Sequence, residues 1–229
     1  MDHRPPLRAY ILAGGKSSRF GSDKARVVID GTPNLRFLAD RLAKYHLTTT
    51  IVSQSRSDYI DLDVRTIPDF ERDAGPLAGT ITALHDAKSL GAEWSLILTC
   101  DLLWHHDTWI ERMLSAIQSS HASSHPQPLV WLFHRDSFSP FPGLYHADAW
   151  LSARQSWDQG VRSMRGWLQP KTQDHEMDSV GSRVPNPGRP DPNVEGIGHI
   201  HLHANDLPGS FNTSDELREQ LKRTDNPLR

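Results

Sequence analysis

Arg19, Lys24 and Asp101 are the residues whose types and settings in this chain could carry chemistry, and that chemistry is the handling of phosphate. The first two lie in Leu12-Ala13-Gly14-Gly15-Lys16-Ser17-Ser18-Arg19-Phe20-Gly21-Ser22-Asp23-Lys24-Ala25, a stretch that leaves the short apolar run Ala9-Tyr10-Ile11-Leu12. Paired glycines after a strand let backbone N–H groups close on an anion, because glycine lacks Cβ and tolerates the positive-φ turns that aim successive amides inward. Arg19 can fork onto two phosphate oxygens, and Lys24 adds a compact charge on the far side of the loop. Two cations suit a triphosphate. The Walker pattern is absent, since no glycine stands five residues before Gly15, and so is G-x-G-x-x-G.

Asp101 follows Trp94-Ser95-Leu96-Ile97-Leu98-Thr99-Cys100, a nearly continuous apolar run such as a central strand covered on both faces requires. A carboxylate at that lip, facing a phosphate loop, is a hard oxygen ligand for Mg²⁺. The plainer readings are a glycine turn that closes an ordinary βα unit and an Asp that caps the next helix. The first needs neither the arginine nor the Asp-Lys pair. Against the second stands Asp107-Thr108, which is better placed to cap a helix from Trp109.

These residues must be positioned by alternating strands and helices. Apolar spacing predicts a helix over Leu35–Leu42, strands over Thr48–Ser53 and from Val64 with Asp69 just past its end, and a helix from Gly75-Pro76-Leu77-Ala78-Gly79 to near Gly91. Further on it predicts a helix from Trp109, a strand over Leu129–Phe133, and two short helices broken at Gly160. Such alternation implies a parallel sheet, whose ligands bind beyond the carboxyl ends of the strands, where the glycine loop, Ser53 and Asp69 fall. Gly75 and Gly79 leave backbone N–H groups open to a ligand, unless Pro76 simply starts a helix. His105-His106-Asp107 reads as polar residues leading into a helix, because adjacent side chains seldom converge on one ion. Residues 170–198, rich in Pro, Gly, Asn and Asp, read as a long loop or insertion. His199, His201 and His203 read as one face of a half-buried strand rather than a metal site. Thr213 caps a last helix.

The length of 229 residues suits one domain, and a formal charge of -3 without long basic runs argues against nucleic acid or an anionic membrane as the main partner. A small substrate fits better. Cys100 has no cysteine to pair with, which suits a reducing compartment and a buried filler role. No apolar leader or run approaching ~18 residues is present, so a soluble, cytoplasmic protein is expected.

Residues 12–25 resemble the L-A-G-G-x-S-x-R-M-G-x-D-K-A loop of the molybdenum cofactor guanylyltransferase family, with Phe20 in place of Met. Gly75 to Gly79 resembles the family's second motif, Pro140-Phe141-Pro142-Gly143-Leu144-Tyr145 its H-P-L-x-x-L-Y stretch, and Phe211 to Leu217 its N-x-N-T-P-E-D-L ending. Ser139 stands where the family often has His, Ser210 replaces the first Asn, and Leu102-Leu103 replaces x-Pro. The likeness is close over 8–104 and looser over 128–222. It implies a three-layer, Rossmann-like α/β nucleotidyltransferase fold with a mostly parallel central sheet, one domain over 1–229. GTP and a molybdopterin-type cofactor are the implied substrates and Mg²⁺ the implied cofactor, with transient contacts to molybdenum cofactor biosynthesis or acceptor proteins.

By the same resemblance Arg19, Lys24 and Asp101 are catalytic. Leu12, Ala13, Gly14, Gly15, Arg19, Lys24, Ser53, Asp69, Gly79 and Asp101 hold the nucleotide, and Asp101, with Asn212 through the water shell, serves the metal. Residues 140–145 line the pterin side. The acceptor's terminal phosphate attacks the α-phosphorus of the triphosphate and pyrophosphate leaves. Gly14-Gly15, Asp23-Lys24 and the complete 75–79 segment side with guanine, since cytidylyl relatives tend to read L-A-A-G and lack the other two. Two rivals stand beside this reading. A sugar-phosphate nucleotidyltransferase usually places Pro-Lys where this chain has Asp23-Lys24, and a non-catalytic nucleotide-binding homologue is suggested by Leu102-Leu103 and Ser139.

Overall fold

The computed structural model describes residues 5–14, 23–29, 31–121, 129–133, 139–169, 197–200, 206, 208–211, 213, 215–217 and 219. In chain order its elements are Leu7–Leu12 (β1), Val28–Ile29 (β2), Thr32–Pro33 (β3), Asn34–Ala43 (α1), Thr49–Ser53 (β4), Arg65–Pro68 (β5), Pro76–Ser89 (α2), Trp94–Thr99 (β6) and Leu102–Leu103 (β7). Thr108–His121 (α3), Val130–Phe133 (β8), Gly143–His146 (β9), Ala149–Asp158 (α4), Met164–Leu168 (α5), Ile197–Ile200 (β10) and Gly209–Ser210 (β11) follow. Seven strands form one sheet in the order β10-β8-β9-β6-β1-β4-β5, in which β9 runs antiparallel to both its neighbours and every other pairing is parallel. The chain moves outward from β1 to β5, then returns to β6 on the other side of β1. That reversal opens a crevice at the carboxyl ends of β1 and β6.

Both faces of the sheet are covered, as the apolar runs require. Ala9 and Ile11 of β1 pack on one side with Leu35, Leu38 and Leu42 of α1 and with Trp109, Met113 and Ile117 of α3. Tyr10 and Leu12 face the other side, against Leu77, Ile81 and Leu84 of α2, Ala153 of α4 and Trp167 of α5. The period of two in the strand thus feeds two cores at once. A third, smaller cluster of Ile29, Leu103, Phe211 and Leu217 joins the ribbons β2–β3 and β7–β11 beneath the crevice.

Several expectations shift. Leu102-Leu103, the departure from x-Pro, forms β7 and pairs antiparallel with β11. The 170–198 loop loses its end to a strand, because β10 starts at Ile197; residues 170–196, and His201 and His203, lie outside the described residues. Asp107 stands at the start of α3, its carbonyl accepting from Ile110 and Glu111 at 3.1 Å, yet its carboxylate does not cap the helix. It accepts instead from Trp104 Nε1 at 2.7 Å and meets Arg41 Nη1 at 3.4 Å. Thr213 does cap: its Oγ1 accepts from the Glu216 N–H at 3.1 Å while Glu216 Oε2 accepts from the Thr213 N–H at 3.3 Å, and residues 215–217 are helical. No helix among the described residues is long and apolar enough to cross a membrane.

Candidate functional site

The strand ends enclose a crevice of about 450 Å³. Leu12 and the two residues after it come from β1, Asp69 from just beyond β5, Thr99 to Asp101 from the end of β6, and Gly75, Pro76 and Gly79 from the start of α2. Lys24 enters from a short 3-10 turn, Lys24–Arg26. Of the residues expected from sequence, the crevice therefore gathers Leu12, Ala13, Gly14, Lys24, Asp69, Gly79 and Asp101. Gly15, Arg19 and Asn212 lie outside the described residues. Ser53 is turned away: its hydroxyl lies 2.8 Å from the Ser55 carbonyl and 3.0 Å from Asp58 Oδ2. The next residue, Gln54, lines the crevice in its place, accepting from the Asp73 N–H at 3.3 Å.

The loop's two ends are stapled together by a residue that sequence reasoning missed. Asp23 Oδ1 accepts from the Ala25 N–H at 3.0 Å and so caps the 3-10 turn. Tyr59 places its hydroxyl 3.1 Å from Asp23 Oδ2 and 3.5 Å from the Ala13 carbonyl. Burial, reinforced by the Asp23 charge, pushes the Tyr59 hydroxyl well above its ordinary range, so it stays a neutral donor. Lys24 Nζ lies 3.4 Å from the Phe211 carbonyl, and Phe211 is wholly buried.

On the opposite wall Gly75, at φ 83°, starts α2 in a conformation that glycine adopts without strain. It brings no capping side chain, so the positive end of α2 is presented to the crevice. A Cβ at Gly79 would stand 3.2 Å from Leu12 Cδ2 and 3.6 Å from Asp69 Oδ2, which shows how closely that first turn packs on β1 and β5. Asp69 Oδ1 accepts from Thr82 Oγ1 at 2.7 Å, and burial raises its pKa in spite of that hydrogen bond.

Asp101 stands between two cavities. A second one, of about 230 Å³, shares Thr99 and Asp101 with the first and is walled by the Ser139–Pro142 turn and by Pro208–Ser210. Tyr145 holds the turn by donating to the Pro140 carbonyl at 2.6 Å, and Ser139 Oγ donates to the Phe141 carbonyl at 2.9 Å. Thr99 Oγ1 donates to Asp101 Oδ1 at 2.5 Å, while Oδ2 has no protein partner among the described residues. Neighbouring Cys100 is no nucleophile, since burial first, and the Asp101 and Asp23 carboxylates next, push its thiol up to about 12. No group of three or more His, Cys, Asp and Glu gathers anywhere among the described residues to hold a metal. A cation at Asp101 would rely on that carboxylate and on the oxygens its ligand brings more than on a protein cage.

Comparison with known proteins bears on this arrangement. A family model described as the MobA-like NTP transferase domain matches residues 9–176. A probable molybdenum cofactor guanylyltransferase of Nostoc sp. is 31% identical over 168 residues, 71% of this chain and 77% of that protein. A molybdenum cofactor biosynthesis bifunctional protein of Synechocystis sp. is 34% identical over 113 residues, 48% of this chain, which spans only 31% of that relative's length. Among solved structures, molybdopterin-guanine dinucleotide biosynthesis protein A from Archaeoglobus fulgidus superposes with a TM-score of 0.66 over 96% of this chain and 99% of its own. At 14% identity that likeness is one of fold.

Proposed function

The chain belongs to the MobA-like NTP transferase family, and from that membership we propose that it transfers GMP from GTP to the terminal phosphate of a molybdopterin-type cofactor, releasing pyrophosphate. The single observation that carries the reading is Asp101 on the wall between two adjoining cavities, where a nucleotide in one and an acceptor in the other would meet at a carboxylate. The larger cavity has the loop, the helix start and Lys24 for a triphosphate. The smaller has the Ser139–Pro142 turn for the acceptor.

Mg²⁺ fits what the site offers. Asp101 supplies one hard oxygen with Oδ2 unengaged, and Mg²⁺ commonly takes one or two carboxylates and completes its shell with phosphate oxygens and water. When bound it would neutralise charge on the phosphates. The chain's own residues do the rest by position and charge. Lys24 offsets triphosphate charge from the loop's far side, and Asp69 offers a half-buried acceptor to a base or ribose donor. No side chain need act as nucleophile, because the acceptor phosphate is already an anion at neutral pH, and Cys100 stays protonated.

The choice of guanine is supported by the names of the relatives and by Gly14-Gly15, Asp23-Lys24 and the 75–79 segment. A pocket that pairs guanine's O6, N1 and N2 leaves its own polar groups unpaired when cytosine enters. GTP should therefore surpass CTP by at least ~10²-fold in kcat/KM, about 2.7 kcal/mol. The test is a competition of GTP, CTP and ATP with molybdopterin-bound molybdenum as acceptor, following the dinucleotide formed. Comparable GTP and CTP products defeat the guanine assignment, and no product with any nucleotide defeats the transferase reading.

A further inference from the structure

Asn34 opens α1 and is 0% exposed, a polar side chain sealed beneath the crevice. Among the described residues its Oδ1 has no hydrogen-bond partner, and burying an unpaired amide oxygen is costly. A hydrocarbon side chain would fill the space without that cost, so the use of the residue must lie in its nitrogen. Nδ2 donates to the Cys100 carbonyl at 2.7 Å and lies 3.5 Å from the Leu102 carbonyl. The carbonyl between them, that of Asp101, accepts from the Phe211 N–H at 3.2 Å. Three consecutive carbonyls are thus held, the first and third by one amide. The two peptide units that flank the Asp101 Cα carry the Cys100 and Asp101 carbonyls, and because such units are planar, Asn34 on the first and Phe211 on the second together fix the direction in which Asp101 projects its Cβ. The backbone N–H of Asn34 also donates to the Val27 carbonyl at 2.7 Å, just past the turn that carries Lys24.

We propose that Asn34 is a positioning residue, which sets the Asp101 carboxylate and the Lys24 turn in register for metal and triphosphate. The inference rests on the metal reading of Asp101. Its test measures Mn²⁺ binding to the protein–GTP complex by electron paramagnetic resonance for wild type, Asp101→Asn, Asn34→Leu and Asn34→Ser, with kcat, KM for GTP and Tm alongside. A residue that orients a ligand commonly costs ~10–100-fold in metal affinity or activity when lost. Asn34→Leu, which keeps the branched outline and heavy-atom count and removes the donor, should fold, bind Mn²⁺ at least ~10-fold more weakly and lose kcat by as much, with KM for GTP changed less than about 3-fold. Asn34→Ser, which keeps one donor, should fall between Leu and wild type. A folded Asn34→Leu with wild-type Mn²⁺ affinity overturns the inference, and if that variant does not fold, Asn34→Ser at wild-type affinity overturns it equally. Equal Mn²⁺ binding by wild type and Asp101→Asn overturns the metal reading, and the inference with it.

Discussion

Replacing Asp101 with Asn separates what the carboxylate does for the fold from what it does for the reaction. Among the described residues its side chain has one partner, Thr99 Oγ1, while its own carbonyl is held by Phe211 and those of Cys100 and Leu102 by Asn34. The structural loss is at most that one hydrogen bond, about 0.5–1.5 kcal/mol. For a chain of 229 residues this lowers Tm by about 1–6 °C. An amide oxygen can still accept from Thr99, so the smaller figure is the better guide. The loss of negative charge at the junction of the two cavities is of another order, since removing one preorganised charge-stabilising group typically costs ~10²–10³ in kcat, about 2.7–4 kcal/mol. Pyrophosphate release at saturating GTP and Mg²⁺, beside a melting curve followed by circular dichroism, reads both quantities from one preparation. Turnover above about a third of wild type would refute the assignment. So would a fall in Tm beyond ~10 °C, which would make the carboxylate a structural group.

Two further perturbations probe different parts of the molecule. Lys24→Ala should weaken GTP binding by ~10-fold or more and guanosine binding hardly at all if, as proposed, its charge offsets that of the triphosphate; calorimetric titrations that show equal losses for both would remove the lysine from the triphosphate site. Asp86, away from the crevice, is pushed up by burial but held on balance below its ordinary 3.8 by Arg65, which contacts both its oxygens at 2.7 Å, and by Tyr10 at 2.9 Å. Its contribution to stability is therefore fully present above pH 3.8 and lost as pH falls through the folded-state pKa. Asp86→Asn should cost about 1 kcal/mol at pH 7 in urea unfolding and progressively less below about pH 4, whereas a constant difference between pH 7 and 3 would contradict the linkage.

The sheet and its covering helices were legible because buried strands and amphipathic helices write their period into the sequence, as Ala9–Leu12 and Leu35–Leu42 do. The crevice was legible for the same reason, since strand ends in a parallel sheet converge whatever the loops do. Ser53 does not line the crevice, because consecutive residues at a strand end point opposite ways, and only the later turn containing Asp58 decides which of them faces it. The β7–β11 ribbon carried no signal: two-residue strands have no period, and Leu103 finds its partner at Gly209. Asp107 has the right type and place for a helix cap, but the tertiary partners Trp104 and Arg41 outbid the local one. Tyr59 and Asn34 lie outside any motif, and their roles exist only where distant backbone segments cross.

Lys24 and Phe211 stand 187 positions apart in the chain, yet the lysine leans on that carbonyl and the neighbouring amide anchors Asp101. A ribosome delivers residues in one direction, at ~5–20 per second. The four parallel strands from β1 to β6 and their first helices have all been synthesised once Thr99 is made, whereas the ribbon that closes beneath Lys24 and Asp101 must wait for residues 208–211, on the order of 5–20 s later. Nascent chains can thus bury the greasy faces of the sheet, where exposure invites aggregation, under α1 to α5, all complete by Leu168, before the segment that meets Lys24 and Asp101 exists. A half-made copy is protected yet lacks the contacts at Lys24 and Asp101, which arrive only with residues 208–211.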